Sequence, residues 1–159
     1  MGVTVRRLGA GDEQVIALIA ADAPDFDLAG RTTPERPLAP GDAAAYLAEP
    51  NVLHWIAEDG DVVVGELLCH LLLMPSDEGR ELLLYSIGVR SSHRRRGVGG
   101  ALLDEMRRWM RDARVPEAWV LADNAGAEAF YAACGFRRGG EGEQGTLMLL
   151  RVPGDGGDA

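Results

Sequence analysis

The run Leu82 to Val89 is apolar at almost every position. It leads without a break into Arg90-Ser91-Ser92-His93-Arg94-Arg95-Arg96-Gly97-Val98-Gly99-Gly100-Ala101. No other stretch restricts the fold as strongly. The apolar run predicts a strand. Beyond the glycines, Val98, Ala101, Leu102, Met106, Trp109, Met110 and Ala113 recur at helical spacing, with Asp104, Glu105, Arg107, Arg108, Arg111 and Asp112 on the other face. A strand that passes through a glycine turn into a helix offers an anion a defined place. Glycines lack Cβ atoms and admit a ligand close to the backbone. The first helical turn carries unpaired amides and partial positive charge, and a phosphate there meets both. Arg94, Arg95 and Arg96 add full charges beside it. The same residues also describe a solvated basic helix start with incidental glycines, and a short glycine motif alone favours that blander reading.

The rest of the chain predicts an α/β domain with a mixed sheet. Val3 to Leu8 is a first strand. Asp12 is the expected N-cap of a helix through Val15, Ile16, Leu18 and Ile19. Asp22 to Pro40 is a proline-rich loop holding a short helical turn. Gly41 to Ala48 is a second helix. Asn51 to Ala57 and Val62 to Met74 form a hairpin about Asp59-Gly60-Asp61, with Gly65 marking a bulge. Pro116 ends the amphipathic helix, and Ala118 to Ala122 is the next strand. Asp123-Asn124 opens a further helix that Gly135 closes. Strands around Phe136 to Arg138 and Thr146 to Val152 complete the sheet. Residues 1–152 then form a single domain, and 153–159 are expected to be a disordered tail.

The glycine motif lacks the lysine and terminal Ser/Thr of the NTPase phosphate loop and the three-glycine spacing of the dinucleotide fold. Arg94-Arg95-Arg96-Gly97-Val98-Gly99 resembles the coenzyme A loop of the GNAT superfamily of N-acetyltransferases, Arg/Gln-x-x-Gly-x-Gly/Ala, at every position. Glu81, Tyr85, Val89, His93, Arg94 and Arg95 are most similar to aminoglycoside 3-N-acetyltransferases. Asn124-x-x-Ala127-x-x-x-Tyr131-x-x-x-Gly135-Phe136 resembles the second GNAT signature. The resemblance implies the GNAT fold: a mixed, mostly antiparallel central sheet, flanked by helices, whose fourth and fifth strands splay around the acyl-pantetheine arm. It implies acetyl-coenzyme A as co-substrate, bound by Ile87, Gly88, Val89, Arg94, Arg95, Arg96, Gly97, Val98, Gly99, Gly100, Ala101, Asn124, Ala127 and Tyr131.

Acetylating an amine needs a neutral nucleophile, a polarised thioester and a protonated leaving thiolate. Backbone amides at a splayed strand end, here Ile87, Gly88 and Val89, can face the developing oxyanion. Tyr131 is the implied acid, a phenol being a sensible donor to a thiolate; as a structural residue it would be a helix tyrosine packed on the sheet. For the base, Ser86 stands where the aminoglycoside 3-N-acetyltransferases carry an aspartate, which leaves Glu81, Glu66, His54 and His70 as candidates, with Glu81 matched by the resemblance. Each is as readily structural as catalytic.

Composition excludes several classes. A formal net charge of −9 argues against general nucleic-acid affinity. It is compatible with a cationic acceptor, and Asp22, Asp25, Asp27, Glu35 and Glu81 are expected near its entrance. No apolar run suggests a membrane span or signal region, so a cytoplasmic protein is expected. Cys69 and Cys134 make neither a metal spacing nor a disulfide framework; no metal is expected. The function expected is transfer of acetyl to a primary amine on a small cationic acceptor, an aminoglycoside or polyamine, by a monomer or homodimer. The alternatives are a peptide or protein N-acetyltransferase, or a non-catalytic acyl-coenzyme A sensor.

Overall fold

Alternating and apolar runs of the first three-quarters of the chain pair into one five-stranded sheet. The computed structural model describes residues 2–26, 33–76, 79–139 and 148–151. Its elements are β1 (Thr4–Arg7), α1 (Glu13–Ala21), α2 (Ala23–Phe26), α3 (Pro40–Ala48), β2 (Val52–Asp59), β3 (Val62–Leu72), β4 (Glu81–Val89), α4 (Val98–Ala113), β5 (Glu117–Trp119) and α5 (Ala125–Ala133). Packing divides the chain into two units, Met1–Asp123 and Asn124–Ala159.

In the first unit the strands lie in chain order, antiparallel from β1 to β4, with β5 parallel to β4. This is the expected mixed α/β sheet. One face packs on α4: Trp55 meets Trp109 edge-on with ring centroids 6.2 Å apart, and the Cys69 thiol lies 3.8 Å from Met106 Sδ. A Cβ on Gly65 would come within 2.8 Å of Val98 Cγ1, so that glycine lets α4 approach. The opposite face carries Leu8, Ile16, Phe26, Ile56 and Val63, packed by Val15, Ile19, Tyr46 and Leu47.

Two bulges break the period-two alternation. The β2–β3 register passes from Ala57↔Gly65 to Glu58↔Val63 and leaves Val64 unpaired. This bulge is next to Gly65, not at it, and it puts Val63 and Gly65 on opposite faces. The β3–β4 register passes from Leu68↔Ser86 to Cys69↔Leu84 and leaves Tyr85 unpaired. A strand without that extra residue would show Leu84 and Ser86 on the same face.

Other expectations shift locally. Asp12 heads α1, but its carboxylate turns back to the Gly9 amide (2.9 Å) and Arg6 instead of capping the helix. α4 stops at Ala113 because Arg114 adopts a left-handed conformation, φ 57°, before Pro116 is reached. β5 is shorter than expected, ending at Trp119.

In the second unit Asn124 caps α5, its side chain accepting the Ala127 amide at 2.8 Å. The Phe136 amide returns to the Tyr131 carbonyl and the Gly135 amide to that of Ala132, with Gly135 at φ 95°. This is a Schellman end, in which the two residues joined by the longer bond, Tyr131 and Phe136, also touch. Residues 136–138 run on without strand pairing, contrary to expectation. The last expected strand lies mostly outside the described residues, and 148–151 are not strand. The expected tail also lies outside them.

Candidate functional site

The segment from β4 to α4 forms an open cradle of amides. After Val89 the chain makes one tight turn, Ser91–His93, and two left-handed residues, Arg95 (φ 61°) and Gly97 (φ 80°), aim it into α4. The first helical bond runs from the Ala101 amide to the Gly97 carbonyl, 3.0 Å. The amides of Val98, Gly99 and Gly100 therefore precede the helical ladder. A Cβ built on Gly97 or Gly100 meets nothing within 4 Å, so the space before these amides is open. An anionic group such as a pyrophosphate fits this cradle.

The three arginines divide. Arg95 and Arg96 are exposed. Arg94 turns inward, its Nε donating to the Val89 carbonyl and its Nη2 to the Asp25 carbonyl, both at 3.0 Å. Its charge holds the loop to α2 and is not displayed beside the cradle. His93 ties the same loop to β2 through Asp59 Oδ2 at 2.9 Å.

β4 and β5 pair only over Glu81↔Glu117, Leu82↔Ala118 and Leu83↔Trp119. Beyond Leu83 the β4 edge is unpaired by β5, which is the splay. Arg90 donates its amide to Val64 of β3, 2.8 Å. Alternation along an antiparallel ladder then points the Gly88 amide toward β3 and those of Ile87 and Val89 away from it. Val89 also presents its carbonyl outward, where Arg94 takes it. The outward donors at this edge are thus Ile87 and Val89. Gly88 meets another demand: a Cβ there would lie 2.5 Å from the Phe26 carbonyl oxygen.

That contact belongs to a clasp on α2. Arg90 donates Nε to the Val63 carbonyl, Nη2 to Asp22 (2.7 Å) and Nη1 to Asp25 (3.3 Å), with its guanidinium 4.5 Å over the Phe26 ring. Ser91 donates its hydroxyl to Asp25. The Ser91 hydrogen bond, helped by Arg90 and opposed by burial, holds the Asp25 carboxyl below the usual range. Asp22 and Asp25, expected at the acceptor entrance, are committed to this clasp. Asp27 lies outside the described residues.

The base candidates separate. Glu81 sits at the start of β4, the end remote from the cradle, where the Trp119 indole donates to it at 3.1 Å. It is brought together with neither the cradle nor the other candidates. His70 stacks edge-on against Tyr85, 5.6 Å between centroids. Glu66 and His54 are buried and bonded, His54 Nε2 to Glu66 Oε2 at 2.9 Å. Tyr46 Oη lies 2.8 Å from His54 Nδ1, and Ser86 donates to Glu66 Oε1 at 3.5 Å. Burial, and then the charge of Glu66, push the Tyr46 phenol up.

In the second unit, Tyr131 is buried, with its ring 5.4 Å from those of Phe130 and Phe136. The contact with Phe136 is the apolar pairing that accompanies a Schellman end. Part of the Tyr131-x-x-x-Gly135-Phe136 spacing is therefore a helix-ending signal in its own right.

The model of the Acetyltransferase (GNAT) family matches residues 15–136. The chain belongs to this family. N-acetyltransferase 8 of Rattus norvegicus is 27% identical over 108 residues, which are 67% of this chain and 49% of that protein. N-acetyltransferase 8 of Homo sapiens is 31% identical over 101 residues, 61% of this chain and 44% of that one. The chain spans about half the length of the curated relatives it matches. An aminoglycoside acetyltransferase from an uncultured soil metagenomic sample, solved in complex with sisomicin, superposes with a TM-score of 0.80 at 17% identity, covering 95% of this chain and 97% of that one. A second aminoglycoside acetyltransferase from such a sample gives a TM-score of 0.76 at 23% identity, covering 96% and 99%. These likenesses are of fold.

Within this GNAT sheet the sequence reading missed two groups. Tyr46 went unremarked, because a tyrosine on a helix carries no signal until its neighbour across the packing is known. The Arg90 clasp joins residues more than sixty positions apart. A signal for Glu66 did exist: a lone carboxylate within the apolar run of β3 is rarely buried unpaired.

Proposed function

We propose that this GNAT chain is an acetyl-coenzyme A-dependent N-acetyltransferase acting on a primary amine of a small cationic molecule of the aminoglycoside or polyamine class. The observation that carries the reading is the amide cradle at the start of α4, next to the open β4 edge. Val98, Gly99 and Gly100, with the charges of Arg95 and Arg96, would hold the pyrophosphate; Gly97 makes the turn, and Ala101 closes the first helical bond behind it. Arg94 acts by positioning the loop. The bound cofactor supplies an acetyl thioester. Ile87 and Val89 would direct amides at the carbonyl oxygen as negative charge develops there, while Gly88 keeps α2 close. Asn124 and Ala127 are assigned to the cofactor, and Tyr131 to proton donation, on the match of their motif to the family signature.

The class of acceptor is supported by the aminoglycoside acetyltransferases that share the fold and by the net charge of −9. A cytoplasmic setting and a monomeric or homodimeric state belong to the same proposal. The test is coenzyme A binding by calorimetry, followed by thiol release from acetyl-coenzyme A with spermidine, an aminoglycoside and a peptide amine. Binding with turnover on the two polycations is expected. Absence of coenzyme A binding overturns the cofactor assignment. Binding without turnover on any amine makes the chain an acyl-coenzyme A sensor, and preference for the peptide overturns the acceptor class.

A further inference from the structure

Four polar side chains cross the sheet face opposite α4 as one chain. Tyr46 on α3 meets His54 on β2, His54 meets Glu66 on β3, and Ser86 on β4 donates to Glu66, at 2.8, 2.9 and 3.5 Å. His54 and Glu66 are 7% and 9% exposed. Burying a carboxylate and an imidazole among apolar strands costs several kcal/mol before pairing, and an apolar pair of the same volume commonly packs as stably. Stability alone gives no reason for this cluster.

Its position does. Glu66 pairs with Gly88, the residue between the outward amides of Ile87 and Val89. Its backbone is one strand spacing, about 4.8 Å, from that edge. Phe26 covers Gly88, so the way to the carboxylate is over Ser86, which is small and half-buried. Ser86 shares the face of Glu66 by plain alternation from the Glu66↔Gly88 pair, and the bulge at Tyr85, just beyond it, turns Leu84 to the other face. Bulges next to active sites re-aim side chains in this manner.

We propose that Glu66 is the proton acceptor for the attacking amine, reached through the Ser86 hydroxyl, with His54 and Tyr46 as positioning residues. The inference rests on the acetyltransferase reading above. As the amine nitrogen shares its lone pair in the new bond it becomes acidic. Its N–H bond breaks, the proton passes to Ser86 Oγ, and the Ser86 proton passes to Glu66 Oε1, leaving a neutral carboxyl that later returns the proton to solvent. The neutral His54 ring carries its proton on Nε2, because a carboxylate only accepts, and takes the Tyr46 hydroxyl on Nδ1. One Glu66 oxygen is thereby fixed and the other is left to Ser86. Glu66 meets His54 and Ser86, with Tyr46 behind His54; Cys69 faces α4 from the same strand, and its thiol is pushed up by burial and then by the charge of Glu66. Asp22, which precedes α2, and Asp25, within it, are held by Arg90.

The test compares wild type, Glu66→Gln, His54→Gln, Tyr46→Phe and Ser86→Ala. With methoxyamine, a far weaker base than spermidine, the part of the acid limb of kcat lying above that amine's own titration belongs to the enzyme. Glu66→Gln should lower kcat by about two to four orders of magnitude and abolish that limb, with coenzyme A affinity unchanged. Ser86→Ala should lower kcat at unchanged coenzyme A affinity. His54→Gln should move the limb, and Tyr46→Phe should move it less. On protein without cofactor, calorimetry should show spermidine binding weakened about tenfold by Glu66→Gln, through loss of the negative charge behind the Ser86 hydroxyl. Wild-type turnover with an unaltered rate and pH profile in Glu66→Gln overturns this inference alone. Wild type that neither binds coenzyme A nor acetylates any amine overturns the acetyltransferase reading instead.

Discussion

Two glycines of the cradle are held by different forces, and substitution should separate them. Gly97 has φ 80°, so an alanine there is strained in the left-handed region by about 1–2 kcal/mol although the space beside it is empty. Gly100 lies inside α4 with nothing within 4 Å of a built Cβ. Gly100→Ala should therefore stabilise the fold by about 0.5–1 kcal/mol, and at the same time weaken coenzyme A binding by placing a methyl before the amides. Thermal unfolding and calorimetry on one sample check both signs; a variant stabilised with undiminished affinity shows that the cradle does not hold the cofactor. Ser86 carries a similar lesson. An aspartate there, as in the aminoglycoside 3-N-acetyltransferases it resembles, would set a second carboxylate against Glu66, and two carboxylates sharing a site do not both ionise readily.

At the scale of elements, α2 is a four-residue helix too short to be stable by itself. It is held by Arg90, Arg94 and Ser91, all from the β4–α4 connection. α2 and the β4–α4 connection are thus one mechanical unit. Asp25 reports on it. Its folded carboxyl is held below its unfolded value, so its contribution to stability is complete above the unfolded pKa and is lost as pH falls through the folded one. Between about pH 5 and pH 2, wild type should lose more stability than Asp25→Asn. Urea unfolding across that range checks it, and parallel curves would show that the Ser91–Asp25 bond contributes nothing.

For the molecule as a whole, the formal net charge of −9 sets a long-range field that attracts cations. With Asp22 and Asp25 both paired to Arg90, attraction comes mainly from the summed charge and not from a carboxylate cluster. Summed fields act on association and are screened beyond about 8–10 Å at physiological salt. We expect kcat/KM for spermidine to fall with ionic strength, chiefly through KM, and kcat/KM for methoxyamine to stay level. Equal responses of the two amines to salt would remove the electrostatic argument for a polycationic acceptor.

The sequence by itself determined what depends on neighbours along the chain. The strand through Val89, the glycine turn and the amphipathic α4 each follow from local periodicity and backbone freedom, as do the Asn124 cap and the Gly135 stop of α5. It also exposed the departure at Ser86. The tertiary structure decided what depends on residues far apart. Bulges at Val64 and Tyr85 leave no trace in local pattern, because an unpaired residue is defined by the partner strand, yet they choose which face Val63 and Leu84 occupy. Arg94 and Arg90 look like surface charges until α2 folds over them. Glu81 matches the resembling strand residue for residue, but β4 is nine residues long and carries it to the far end, while Glu66, on another strand, comes to lie across from Gly88. Pairing register places these groups, and register is fixed by burial of a sheet face against the rest of the fold.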